Sequence, residues 1–206
     1  MALQLFAKLA AGDDRLLATP YADRFIYNGL GEHFVHLRSY VERMLQSNEP
    51  NVSEAGARLA SIAALYPENA ADLVTEAMAG SSSQRLGVAQ VASSNLAQAE
   101  CRAWCEEHLL LLFNDDDREV RREAASCFLH LKSEPLESYQ SLITAFCDSA
   151  AFQEDSFSIL HVLEDSLRRL PGITCVVCEK FLARGSATKR RIAERIVQET
   201  FTPLPN

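Results

Sequence analysis

The chain has 206 residues, 48% hydrophobic and 23% charged, which excludes intrinsic disorder and supplies apolar material for a substantial core. Its formal net charge of −8 disfavours binding along a nucleic-acid duplex, and no run of roughly 18 to 20 apolar residues is present to span a membrane. Eight Gly and seven Pro leave Ala, Leu, Glu and Arg dominant inside each segment, a helix-forming profile, so the chain is predicted to be all-α.

The opening, MALQLFAKLAAGDD, has no basic start and too short an apolar run for a secretory signal. Helices are predicted over 2–11 and 32–46, joined by an irregular stretch containing Pro20, Gly29 and Gly31. Residues 1–31 are therefore read as an irregular N-terminal segment and 32–206 as one continuous array of helical repeats. The repeat shows as an apolar residue opening a small-residue-rich helix at Val52, Leu86 and Val120, 34 residues apart each time.

On the helix around Val52, Val52, Gly56, Leu59, Ala60 and Ala63 share one face; around Val120, the inward set is Val120, Ala124, Cys127, Phe128 and Leu131. Small residues at Gly56, Ala57, Ala89, Ala124 and Ala125 mark places where neighbouring helices approach closely. Pro67, Pro135 and Pro171 are each placed in the first turn of a following helix, where a missing N–H costs nothing. Asp116 followed by Glu119 reads as a capping box. A fourth unit pairs 135–149 with 153–170, and a fifth pairs 172–184 with 186–201.

Residues 114–131, NDDDREVRREAASCFLHL, resemble the second helix of a HEAT repeat, with Asp115, Val120, Arg121, Ala124 and Leu131 at the family's positions. The resemblance implies an α–α superhelix, a HEAT-like solenoid of about five helix pairs. In that family the Asp and Arg form a polar ladder between repeats. The equivalents here are Ser47 and Ser53 in one unit and Ser81 and Gly87 in another, so a continuous ladder is not expected. The chain also resembles helical-repeat regions of large bacterial multidomain proteins. An apolar stripe of Ile192, Ile196, Val197 and Phe201 on the last helix predicts further repeats or another domain beyond it.

The sequence has no Gly-rich phosphate loop, no Gly-x-Ser-x-Gly elbow and no His-Glu-x-x-His pair. Cys101, Cys105 and His108 share a helix face and could be drawn as zinc ligands with Cys175 and Cys178, but each group sits in an apolar pattern that suits packed thiols. His33 and His36 with Glu32 read as a helix-start pair, His130 and His161 as isolated residues, and Asp115, Asp116 and Asp117 as a capping turn that lacks the spacing of a calcium loop. No metal and no cofactor is expected. Six cysteines in a chain too large to need disulfides fit a reduced, cytoplasmic setting.

Charge is segregated. Residues 1–167 carry 12 basic and 25 acidic side chains, a balance of −13, while residues 168–195 carry eight basic and two acidic, a balance of +6. The basic cluster comprises Arg168, Arg169, Lys180, Arg184, Lys189, Arg190, Arg191 and Arg195. The leading expectation is a non-enzymatic scaffold that binds a protein or peptide on its second helices, through Arg58, Gln84, Arg85, Gln90, Arg121 and Arg122 as exposed candidates. The alternatives are a HEAT-like nucleic-acid-binding or DNA-processing module, which would demand a basic, aromatic-lined groove, and a structural spacer between domains.

Overall fold

A computed structural model describes residues 30–65, 70–131, 136–154, 171–184 and 187–201. Among these residues every regular element is helical and there is no strand. In chain order they are α1 (Leu30–Leu45), α2 (Pro50–Leu65), α3 (Ala71–Ala79), α4 (Ser82–Asn95), α5 (Arg102–Leu112), α6 (Arg118–Ala125), α7 (Gln140–Asp148), α8 (Pro171–Arg184) and α9 (Ala187–Phe201). Two 3₁₀ stretches, Ser126–His130 and Leu136–Tyr139, and a helical turn, Ala151–Glu154, complete the set. The expected helix over 2–11, Pro67, Pro135 and most of 153–170 lie outside the described residues.

Pro171 opens α8 as expected, and Pro50 opens α2 in the same way. Gly31 lies inside the first turn of α1 and not in an irregular link. The helix around Val120 ends at Ala125 and tightens into the 3₁₀ turn, which still carries Cys127 and Phe128 inward. No described helix is long and apolar enough to cross a membrane.

The chain divides into two compact units, Met1–Ala92 and Ser93–Asn206. In the first, Phe34, Leu37, Val41 and Met44 form the buried stripe of α1, and Leu59, Ile62 and Ala63 belong to the buried face of α2. Contact between helices reaches the backbone at two glycines. A Cβ on Gly56 would lie 2.8 Å from Met44 Cβ, and one on Gly87 would lie 2.4 Å from the Glu54 carbonyl oxygen and 2.9 Å from Ala57 Cβ. Gly87 is thus the residue that lets α4 meet α2.

The second unit is centred on phenylalanines. Phe113 at the end of α5, Phe128, Phe146 of α7, Phe152 and Phe181 of α8 are all essentially sealed from solvent. Their rings form a chain of contacts with centroids 5.2 Å apart for Phe113 and Phe146, 4.8 Å for Phe128 and Phe146, 5.7 Å for Phe146 and Phe152, and 4.8 Å for Phe152 and Phe181. Edge-on and tilted geometries suit the ring quadrupoles. The Arg102 guanidinium lies over the Tyr139 ring, 4.5 Å from its centroid.

Val120, Ala124, Cys127, Phe128 and Leu131 are all buried, as their spacing predicts. Val52 and Leu86 are only half-buried, and α4 turns Gly87, Val88, Ala89, Val91 and Ala92 inward. Buried positions recur at the expected 34 residues as Ala57, Val91 and Ala125, and also at 32 as Gly56, Val88 and Val120. Polar contacts keep a similar beat within each unit: Arg58 donates to Gln90 across 32 residues, and the Asn114 amide oxygen accepts from the Ala150 N–H across 36. Lys180 pairs with Asp148, also across 32 residues.

The Lys180 ammonium beside Asp148 holds that exposed carboxyl below the usual carboxylate range. The pair is therefore present at neutral pH and is lost as pH falls through the lowered value.

Gly→Ala inside a helix ordinarily adds roughly 1 kcal/mol of stability. At Gly87 the methyl group meets backbone on α2, so Gly87→Ala is expected to lower stability by about 1–3 kcal/mol, read as a reduced urea midpoint.

Candidate interaction surfaces

The six partner candidates lie off the apolar helix faces in sequence, and most of them make hydrogen bonds within the chain. Gln84 is buried, contrary to expectation. Its Oε1 accepts from the Ser81 N–H at 2.6 Å while the Gln84 N–H donates to Ser81 Oγ at 3.4 Å, a reciprocal capping box at the start of α4. Its Nε2 donates to the Leu45 carbonyl at 2.8 Å, satisfying an oxygen at the last turn of α1. The Ser81-x-x-Gln84 spacing carries this signal in the sequence, but helical angle alone placed Gln84 outside.

Arg58 and Gln90 form one network with Glu54. Arg58 Nη1 donates to Gln90 Oε1 at 3.1 Å, Gln90 Nε2 donates to Glu54 Oε1 at 3.0 Å, and Arg58 lies 3.5 Å from the same carboxylate. This half-buried rung ties α2 to α4 and leaves both residues partly open. Arg85 Nη1 donates to the Gly80 carbonyl at 2.7 Å, and Arg121 Nη1 donates to the carbonyls of Asp115 and Asp116 at 2.7 and 3.0 Å. Two arginines of second helices therefore hold the turn that precedes their own helix. Arg122 is exposed, as expected.

The acidic turn is a cap, with its centre one residue later than expected. Asp117, not Asp116, is the N-cap of α6: its extended backbone lets Oδ1 accept from the N–H groups of Glu119 and Val120 at 2.7 and 3.4 Å. Asp115 Oδ1 accepts from the Asp117 N–H at 2.8 Å.

Cys101, Cys105, Cys127, Cys147 and Cys178 are buried and not joined in disulfides. Burial pushes the Cys105 thiol up to about 12, helped by the neighbouring Cys101, and the Cys147 thiol up to about 12, helped by Asp148. Burial also raises Cys127 well above its ordinary value. These thiols are protonated at neutral pH and poor nucleophiles. His108 stacks on Trp104, ring centroids 4.1 Å apart, and its Nδ1 donates to the Trp104 carbonyl at 2.8 Å. Among the described residues no three His, Cys, Asp or Glu side chains come together as metal ligands.

In the basic cluster, Arg190, Arg191 and Arg195 project from α9 into solvent. Lys180 and Arg184 face Asp148, with Arg184 at 3.8 Å. Arg168, Arg169 and the side chains of Lys189, Cys175, His33 and His36 lie outside the described residues, as does His161, while His130 is exposed. A shallow depression of about 540 Å³ on the outer side of α7 is lined by Ser138, Gln140, Ser141, Thr144 and Ala145. It has hydroxyl donors and acceptors but no acid, base or cation in its lining, so it offers hydrogen bonds without a proton-transfer group.

Compared with protein-family models, curated proteins and solved structures, the chain matches none of them.

Removing the Gln84 side chain strands the Leu45 carbonyl and the Ser81 N–H together. Gln84→Ala is expected to cost about 1–3 kcal/mol in urea unfolding, whereas Arg122→Ala is expected to change stability by no more than about 0.5 kcal/mol.

Proposed function

We propose that the chain is a non-enzymatic protein-interaction module, built as a HEAT-like α–α superhelix of about five helix pairs, that takes a polypeptide partner on exposed faces of its second helices. The observation that carries this reading is the recurrence of buried positions every 32 to 34 residues together with hydrogen bonds joining residues 32 and 36 apart. In such an array the inward side chains are spent on packing, and recognition falls to the outward residues between them. In the first unit the partly open Glu54, Gln90 and Arg58 rung supplies a preorganised polar strip. In the second, Arg122 supplies an exposed guanidinium suited to carboxylates and backbone carbonyls. The protonated, buried thiols support a role without covalent chemistry and a reducing, cytoplasmic setting.

A photo-crosslinking amino acid placed at Arg122, and separately at the exposed Glu76 of α3, tests the surface. The proposal expects a discrete protein adduct from position 122 in native lysate, competed by excess unlabelled chain, and little from position 76. Equal labelling at both positions, or nucleic-acid adducts in place of protein, would contradict it.

A further inference from the structure

The second unit carries two exposed faces of opposite character. On α5 and the residue pair leading into it, Glu100, Ala103, Glu107, Leu110, Leu111 and Asn114 recur at helical spacing and all are exposed. Leu111 keeps 62% of its surface and Leu110 keeps 44%, next to an acidic half made by Glu100 and Glu107. On α9, Arg190, Arg191 and Arg195 are exposed, and Leu182, near the end of α8 that precedes α9, keeps 40%.

We propose that a second copy of this chain docks head to tail, seating the Arg190, Arg191 and Arg195 face of α9 against the Glu100, Glu107, Leu110 and Leu111 stripe of α5. Charge complementarity within one sequence is the warrant, since +6 is confined to residues 168–195 and −13 to residues 1–167. At physiological salt the Debye length is about 8 Å, so the local patches govern contact and the net charge of −8 contributes little. Arginine forks match carboxylates bidentately, which suits this face to Glu100 and Glu107.

Exposed ion pairs alone contribute little. Leu110 and Leu111 of the acidic stripe and Leu182 of α8 add apolar area that the contact removes from water. A duplex or an anionic bilayer laid on α9 would extend past these arginines toward a chain of opposite balance, whereas the α5 stripe is short and bears acid and leucine together. Because the two faces differ, the contact is heterologous: a docked pair leaves one face of each kind open, so association continues into longer species or closes as a ring. This surface is separate from the partner surface argued for α2, α4 and α6.

Sedimentation velocity over about 5–200 µM chain, in about 50 mM and 500 mM NaCl, reads the result. Wild type is expected to show species that grow with concentration at low salt and shrink at high salt. The charge reversals R190E/R191E/R195E and E100R/E107R should each weaken association at least about tenfold, with far-UV circular dichroism showing unchanged helicity. Mixing the two variants should restore association, because the reversed α9 of one meets the reversed α5 of the other and each variant also keeps one native face. A wild-type chain that stays monomeric throughout, reversals that leave association unchanged, or a mixture that fails to associate would each overturn the proposal. So would a monomer whose α9 arginines are instead required for binding anionic vesicles or single-stranded DNA.

Discussion

No described helix exceeds 16 residues, and segments of that length are marginal in water unless a neighbour covers their apolar face. The cover comes from the helices next along the chain and from elements some 30 to 40 residues away, and the rest of the structure follows from how closely those elements approach. In the first unit the approach is limited by backbone, so Gly56 and Gly87 stand where any side chain would collide with Met44 or with the Glu54 carbonyl. In the second unit the same requirement is met by bulk, with phenylalanines from α5, the 3₁₀ turn, α7, the Ala151–Glu154 turn and α8 filling the space. Small residues and aromatic rings are two answers to one packing problem.

Close stacking of short helices creates many helix ends, each with orphan N–H and C=O groups. Much of the polar chemistry in the chain is committed to them. Gln84 serves the start of α4 and the end of α1 at once, Asp117 caps α6, and Arg85 and Arg121 hold the carbonyls of the turns before their helices. The open edge of the Glu54, Gln90 and Arg58 rung, Arg122, the acidic and leucine-bearing outer stripe of α5 and the arginines of α9 remain exposed or partly so. The proposed interaction surfaces are drawn from these scattered positions.

Much of the architecture was legible in the sequence because hydrophobic period reports directly on which face is buried. The Val120, Ala124, Cys127, Phe128 and Leu131 face is buried as read, and α1 runs over Leu30–Leu45 against an expected 32–46. The 34-residue echo marks the first apolar residue of each helix, and Val52 and Leu86 are only half-buried because that residue need not be the one facing a neighbour. Asp117 was missed as the cap because three consecutive aspartates offer equivalent side chains, and only the backbone turn selects among them. Gln84 was placed outside because a helical wheel knows the axis of its own helix but not that the end of another helix lies beside it. Exposure depends on neighbours about 32 to 39 residues away, and periodicity within one helix does not contain them.

If cover passes from each element to its neighbour, damage should be felt locally and fade with distance along the chain. Hydrogen exchange measured by mass spectrometry on Phe181→Ala, which removes the α8 ring from Phe152, tests this most directly. The account predicts a large loss of amide protection in α8, the Ala151–Glu154 turn and α7, with α1 and α2 unchanged. A uniform loss of protection from α1 through α9 would show that the chain is held as one indivisible core, and would contradict it.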